Sequence, residues 1–231
     1  MLVSETPPDT RSLPHWKPIR VVAQMREPIV TTGDAIHLDG ILAWCAYAAH
    51  PERDSLPPMT STACLDFALP LATWRFGADW GWCASAAQWP VDTVRSTEHV
   101  RRKPPEREYI QRTAAKTYDY GVGPAKAVNK PIPMAFARTL HWYALGDPDR
   151  VRELLGHMTH IGKLMAHGHG AVMRWVVDTV DADWSIERDG ALMRRMPAGW
   201  AGRPMTHRGA LRAPYHHRTR VRDAVGPDAS A

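Results

Sequence analysis

Two stretches of this 231-residue chain carry helical periodicity, and each follows a run that reads as a β-strand. In HLDGILAWCAYAAH, Leu38, Ile41, Leu42, Cys45 and Ala49 recur on one helical face, and Asp34 stands where an N-cap belongs. In DPDRVRELLGHMTHIG, Asp147 is the N-cap, Pro148 takes the first helical position, and Val151, Leu154, Leu155, Met158 and Ile161 form the apolar stripe. The first helix is preceded by PIRVVAQ, Pro18 to Gln24, with Ile19, Val21 and Val22 as its β-branched content. The second is preceded by MAFARTLHWYALG, where Phe136, Arg138, Leu140 and Trp142 alternate with Ala137, Thr139, His141 and Tyr143. LDFALPLATW and WGWCASAAQWP read as two strand segments around a turn at Gly77, and AVMRWVVDTV closes the series.

The order is strand, helix, strands, insertion, strand, helix, loop, strand. That is a split βαβ pattern, so the expected fold class is α+β, a ferredoxin-like (RRM-like) body with an arm inserted before its second half. The insertion, about 95–135, changes character. Arg95, Arg101, Arg102, Lys103, Arg107, Arg112, Lys116, Lys126 and Lys130 face only Glu98, Glu106, Glu108 and Asp119, and apolar residues are few. Such a segment adds nothing to a core and reads as a basic β-hairpin projecting from the body. Residues 1–16, rich in Pro, Ser and Thr, are expected to be a disordered N-terminus, and 51–63 a linker. From Arg194 onward the chain is rich in Arg and His, and 201–231 reads as a tail that stays flexible until it meets a partner.

Composition narrows the function. A formal charge of +5 and a pI near 9.3 suit a polyanionic partner. Cys45, Cys64 and Cys83 form neither a CxxC pair nor an even set, which disfavours disulfides and thiolate zinc and favours a reducing, cytoplasmic setting. The N-terminus has no apolar signal core and no run is long enough to span a membrane, so no membrane association is expected.

The loop IGKLMAHGHGAV, 161–172, carries Gly162, Gly168 and Gly170 around Lys163, His167 and His169. One reading is a main-chain concavity whose N–H groups converge on a phosphate, with Lys163 adding a fixed charge. The other is a helix C-cap at Gly162 followed by a tight turn. The order helix, loop, strand is the reverse of that in nucleotide-binding glycine motifs, and no GK[ST] follows.

This loop, with LLGHMTHIGK before it and GHGAVMRWVV after it, resembles the C-terminal glycine-rich loop of the RAMP superfamily of CRISPR-associated RNA-binding proteins. HLDGILAWCAYAAH, WCASAAQWP, GVGPAKAVNKPIP and VDADWSIERDGALMRRMP resemble, in order, segments of the Cas-five-like subunit of type IV CRISPR effector complexes. Met165, Ala166 and His167 stand where that family often has basic residues. The resemblance implies a RAMP domain over 17–200 with the basic arm as its thumb. It implies a noncatalytic subunit that caps the 5′ handle of the CRISPR RNA and touches the backbone (Cas-seven-like) and large (Cas-eight-like) subunits and target DNA near the PAM. Guide pairing reads the target.

The residues expected to contact RNA are the loop set Gly162, Lys163, His167, Gly168, His169 and Gly170 and the arm cations Arg101, Arg102, Lys103, Arg112, Lys116, Lys126 and Lys130. Tyr118, with Tyr120 and Trp89, offers stacking faces; Ser85 offers a hydrogen bond to a handle nucleotide; Arg194 and Arg195 extend the charge. No cofactor is expected. HGH at 167–169 has no carboxylate beside it to complete a metal set. The alternative activity is metal-independent endoribonuclease processing of repeat RNA, for which His37, His141, His160, His167, His169 and Lys163 are the candidate groups.

Overall fold

A computed structural model describes residues 2–3, 6–31, 35–57, 64–102 and 128–226. In chain order its elements are β1 (Lys17–Met25), β2 (Ile29–Val30), α1 (Leu38–Ala48), β3 (Thr73–Phe76), β4 (Asp79–Trp82), β5 (Val94–Arg102), β6 (Val128–Phe136) and β7 (Thr139–Gly146). There follow α2 (Pro148–Leu155), β8 (Val172–Thr179), β9 (Glu187–Arg188), β10 (Ala191–Leu192), β11 (Met196–Pro197), β12 (His207–Ala210) and β13 (Val221–Val225). None of the described helices is long and apolar enough to cross a membrane.

β1 is the middle strand of the main sheet because its apolar run, Ile19, Val21, Val22, Ala23 and Met25, is buried on both faces. β7 and β8 flank it, both antiparallel, with Lys17 opposite Gly146 on one side and Ile19 opposite Thr179 on the other. The free edge of β7 is taken by residues 83–88. Ser85 donates its N–H to the Tyr143 carbonyl at 2.8 Å, and Gln88 and His141 exchange main-chain bonds at 2.7 and 3.3 Å. The spatial order is therefore β8, β1, β7, then 83–88, all antiparallel. α1 and α2 pack against each other, and α2 lies on β8.

α2 begins as its pattern requires: the Asp147 carboxylate accepts from the N–H groups of Asp149 and Arg150 at 3.0 and 3.2 Å, with Pro148 at the first position. It stops at Leu155, before Gly156, so Met158 and Ile161 pack against the core from the connection instead of from the helix. α1 begins at Leu38, with His37 at the N-cap position and no side-chain cap bond. Asp34, the expected cap, lies outside the described residues. MAFARTLHWYALG, expected as one strand, is two. The chain breaks at Ala137 and Arg138, and β6 leaves to pair with β5 and β2 while β7 pairs with β1.

The C-terminal segment corrects the expectation of a flexible tail. β11, β13 and β12 form a three-stranded antiparallel sheet over a second core of Trp74, Leu145, Leu192, Met196, Leu211, Ala224 and Val225. Its apolar anchors are spaced irregularly among arginines, so no period shows. Residues 6–16, expected as disordered, are tied to β3: Thr10 donates its N–H to the Thr73 carbonyl at 3.0 Å and its hydroxyl accepts from the Thr73 N–H at 2.9 Å.

The two cores are joined by Arg194, whose side chain is fully buried. Its guanidinium donates to the carbonyls of Trp82, Ala84 (2.9 Å) and Leu211 (2.6 Å) and to the Tyr215 hydroxyl (3.3 Å). Asp39, also fully buried, lies 3.8 Å from it and accepts from Tyr215 Oη at 2.7 and 2.9 Å. Asp39→Ala leaves a buried guanidinium without this counter-charge and is expected to cost about 3–5 kcal/mol. Tyr215→Phe, which removes one donor, should cost about 1–3 kcal/mol. Urea unfolding checks both; equal costs would mean that charge plays no part in the network.

Candidate nucleic-acid interface

The glycine loop is held at its neck by its own chain. Ile161 donates its N–H to the Gly170 carbonyl at 2.9 Å, Gly170 donates to Pro28 at 2.7 Å, and Lys163 donates to Val30 at 3.0 Å. The glycines make this approach possible. A Cβ at Gly162 (φ +90°) would stand 2.6 Å from Ile29 Cγ2 and 2.9 Å from the Val30 oxygen. A Cβ at Gly170 (φ +71°) would overlap the Ile161 carbonyl oxygen. Gly168 differs: it needs its φ of +88°, but nothing lies within 4 Å of where its Cβ would be.

This geometry corrects the main-chain anion site. The Gly170 N–H is spent on Pro28 and the Gly168 N–H on Met165 at 3.0 Å, so neither is available to a phosphate. The exposed tip is 163–168, and there the N–H groups of Leu164, Met165 and Ala166 have no acceptor among the described residues. Lys163 and His167 are exposed on this tip, and His169 is half-buried at its base.

β2 joins the loop to the arm. Its Val30 pairs with Lys163 on one side and with Met134 of β6 on the other, while Ile29 pairs with Ala135. β6 in turn pairs with β5 along nine positions, from Val94 opposite Phe136 to Arg102 opposite Val128. Among the described side chains of the ribbon, Ala135 near its root and Ile132 at its middle are buried, whereas residues 94–101 are all exposed. Arg101 and Lys130 are exposed toward its far end, where Arg102 opposes Val128. Lys103, Arg112, Lys116, Tyr118, Tyr120 and Lys126 lie outside the described residues. Trp89 is half-buried, with the Arg95 guanidinium 5.5 Å from its ring centre. Sequence reading overlooked β2, whose signal is no more than two β-branched residues after Pro28.

Three expected contacts are not at this edge. Ser85 is fully buried; its hydroxyl donates to the Ala86 carbonyl at 2.8 Å and accepts from the Tyr143 N–H at 2.9 Å, so it has nothing to offer a nucleotide. Arg194 is the internal hub already described. Arg195 is half-buried beside Gly209, with Nη1 donating to the Ala210 carbonyl at 3.3 Å.

On the other side of the loop, a cleft of about 270 Å³ separates it from α1. His37, Trp44, His160, Gly162, Met165 and Tyr215 are among its walls. The His37 ring is 3% exposed and stacks on Tyr215 with centroids 4.3 Å apart and planes 12° apart. Neither of its nitrogens has a hydrogen-bond partner among the described residues. Burial, with Arg194 and Arg195 adding to it, holds His37 well below the ordinary imidazole range. Burial pushes Asp39 up, and burial followed by the Asp39 charge pushes Tyr215 up. The other histidines named for cleavage are on separate elements: His141 in β7, bonded to Thr139 Oγ1 at 3.2 Å, and His160 on the approach to the loop, bonded to Thr159 Oγ1 at 3.0 Å.

The body is thus a mixed α+β protein with one edge assembled from a basic ribbon, a two-residue strand and a glycine loop. It belongs to the family of CRISPR type IV associated protein Csf3, the Cas5-like subunit, whose pattern it matches over residues 17–227. That span takes in β12 and β13. A search of curated proteins returns no match. Family membership ties the chain to a CRISPR complex of type IV.

Two predictions follow from the geometry. Gly168→Ala should cost only the left-handed backbone penalty, about 1–2 kcal/mol, whereas Gly170→Ala should be markedly worse because its Cβ has no room; thermal melts compare them, and equal losses would contradict the clasp. The second concerns His37. Its folded form stays neutral while the unfolded chain takes up a proton near pH 6.5, so its contribution is whole above that pH and is lost as pH falls below it. Asp39 has the opposite sign, since its folded form keeps a proton at higher pH than the unfolded chain does. His37→Phe should flatten stability against pH below 6.5 by up to about 1.4 kcal/mol per pH unit, read from urea unfolding at pH 5.5 and 7.5.

Proposed function

We propose that the chain is a noncatalytic subunit of a type IV CRISPR ribonucleoprotein that binds and caps the 5′ handle of the CRISPR RNA. In this reading the body is a ferredoxin-like RAMP domain. The order β8, β1, β7, 83–88 with two helices packed together supports it. The β5–β6 ribbon is the thumb. It contacts RNA or the neighbouring backbone subunit, and the rest of the surface meets the large subunit and target DNA near the PAM.

The observation that carries the reading is the continuous hydrogen-bonded edge from β5 through β6 and β2 to Lys163. It puts the loop tip next to the root of a ribbon that, together with the sequence joining its two strands, has nine cations to four carboxylates. A two-stranded ribbon exposed along most of its length gains little from its own burial, which suits a segment that packs on a partner. Single-stranded RNA needs a charged track and faces for splayed bases, and this edge offers the track. His37 and His160 line one cleft, but both nitrogens of His37 are buried, and His141 stands apart on β7; this supports the noncatalytic reading over repeat cleavage, which needs a base and an acid at one ribose.

Charge reversal of Lys126 and Lys130 to Glu tests the arm. If each neutralises one phosphate, the double variant should bind guide RNA more weakly, and its log–log salt slope should fall by roughly 0.7 per lost contact. Filter binding of the RNA recovered with the complex, from 50 to 300 mM salt, gives both values. A slope identical to wild type would remove the arm from the contact.

A further inference from the structure

We propose that a polar hollow beside the C-terminal sheet, walled by Arg212, Arg220 and Arg222, is a binding site for a phosphate group. It shares no residue with the ribbon, β2 or the glycine loop, so it does not rest on the RNA-binding reading above.

The hollow has a volume of about 170 Å³ and lies where the start of β4, the residues after β12 and the turn into β13 meet. Sites that enclose a whole small organic ligand run to about 300–1,000 Å³. This one suits a single small group.

Arg220 shows what kind of group. It is 7% exposed and, with Arg194, one of two buried arginines among the described residues. A guanidinium has five N–H donors. Arg194 spends its own on main-chain carbonyls and the Tyr215 hydroxyl, with Asp39 beside it. Arg220 makes one such bond, from Nη1 to Asp66 Oδ1 at 2.7 Å. Beyond that bond, the Cys64 thiol, a weak acceptor, is all that the described residues offer its other donors, and none of those nitrogens is sealed from solvent.

The other two arginines are held in place with donors to spare. Arg212 donates from Nε to the same Asp66 oxygen at 3.2 Å, and its guanidinium carbon lies 4.1 Å from the Trp80 ring centre. Arg222 stands 3.5 Å from Asp79 and donates from Nη1 to the Thr219 and Val221 carbonyls, both at 3.0 Å. In each, Nη2 has no acceptor among the described residues.

Three guanidiniums therefore share two carboxylates, and two of the three share one oxygen. The surplus cation and the unmet donors select an anion over a neutral ligand. Because Asp66, Trp80 and the main chain already hold the side chains, a ligand has little ordering left to do. A carboxylate keeps its two oxygens in one plane, where a single fork matches it. A phosphate spreads its oxygens over a tetrahedron and can take donors from three side chains at once. A free phosphate and a phosphodiester of a bound strand present the same chemistry here.

The test is equilibrium dialysis of the full chain with radiolabelled inorganic phosphate, at ionic strength held constant with chloride. The expected result is saturable binding. Arg222→Gln, at a side chain 52% exposed, should weaken it about tenfold. Asp79→Asn, which removes a carboxylate from the wall, should tighten it about two- to fivefold, a direction that loss of structure would not produce. Melting temperatures report the folding of both, and if Arg222→Gln is unfolded, the sign of the Asp79→Asn effect decides. No phosphate uptake by the folded wild type, or identical uptake by a folded Arg222→Gln protein, overturns the site. Acetate that displaces the label as well as phosphate does overturns the choice of phosphate. The source is read by competition with a single-stranded oligonucleotide lacking terminal phosphates. If it displaces the label, the hollow takes a phosphodiester; if it does not, the hollow takes a free or terminal phosphate.

Discussion

A guanidinium cannot shed its charge inside a protein, so burying Arg194 obliges the chain to bring acceptors to it from several directions. They come from the end of β4 and the residue pair after it, from Leu211 and Tyr215 in the C-terminal segment, and from Asp39 in the first turn of α1. These segments are distant in sequence. Their meeting ties the core under the main sheet to the core under the C-terminal sheet, and it fixes the start of α1 against Tyr215. The indole of Trp74, with its ring centre 5.7 Å from the guanidinium carbon, closes the remaining side. Removing a member of such a network costs more than the network gains over an apolar core, because what remains is a polar group with no water to turn to.

The elements read correctly from sequence are those with a period. β1, β8, the start of α2 and the apolar face of α1 each repeat a pattern over enough residues to be seen, and the turn at Gly77 falls where β3 meets β4. What escaped has no period to show. Residues 83–88 read as part of a strand segment, but their pairing with β7 does not show: they are mostly small, and the main-chain bonds leave no mark on side-chain choice. β2 is too short to alternate. The C-terminal sheet hides Leu211, Ala224 and Val225 among cations, so a window average reads as tail. The break at Ala137 is invisible for the opposite reason: the alternation continues through it, and only the pairing partners change.

The candidate site was legible as a location more than as a mechanism. The glycine loop and the basic arm were both visible, but not that they share an edge, because β2 is the link. The glycines were read as freeing N–H groups for an anion, whereas two of the three admit the loop's own backbone against Ile161, Ile29 and Val30. Either use demands a missing Cβ, and sequence alone does not choose between them. The same ambiguity governs Ser85 and Arg194. A serine among alanines and an arginine among arginines look like surface groups until burial is known, and both are fully buried. The position of an inward-facing arginine follows from which carbonyls the fold leaves unpaired, and that is a tertiary fact.

β2 has both of its edges occupied, by the ribbon and by the loop, so the two residues Ile29 and Val30 set the spacing between them. Beyond the loop lies the cleft, and beyond the cleft α1, whose register is set by the Arg194 network. Across this surface the character changes in order: cations on the ribbon, Lys163 at the tip, then an apolar and aromatic hollow with a neutral imidazole in its wall. The two sides are coupled through the loop: Gly162 packs against Ile29 and Val30 on one side and lines the hollow on the other, so a shift of β2 is felt in the hollow.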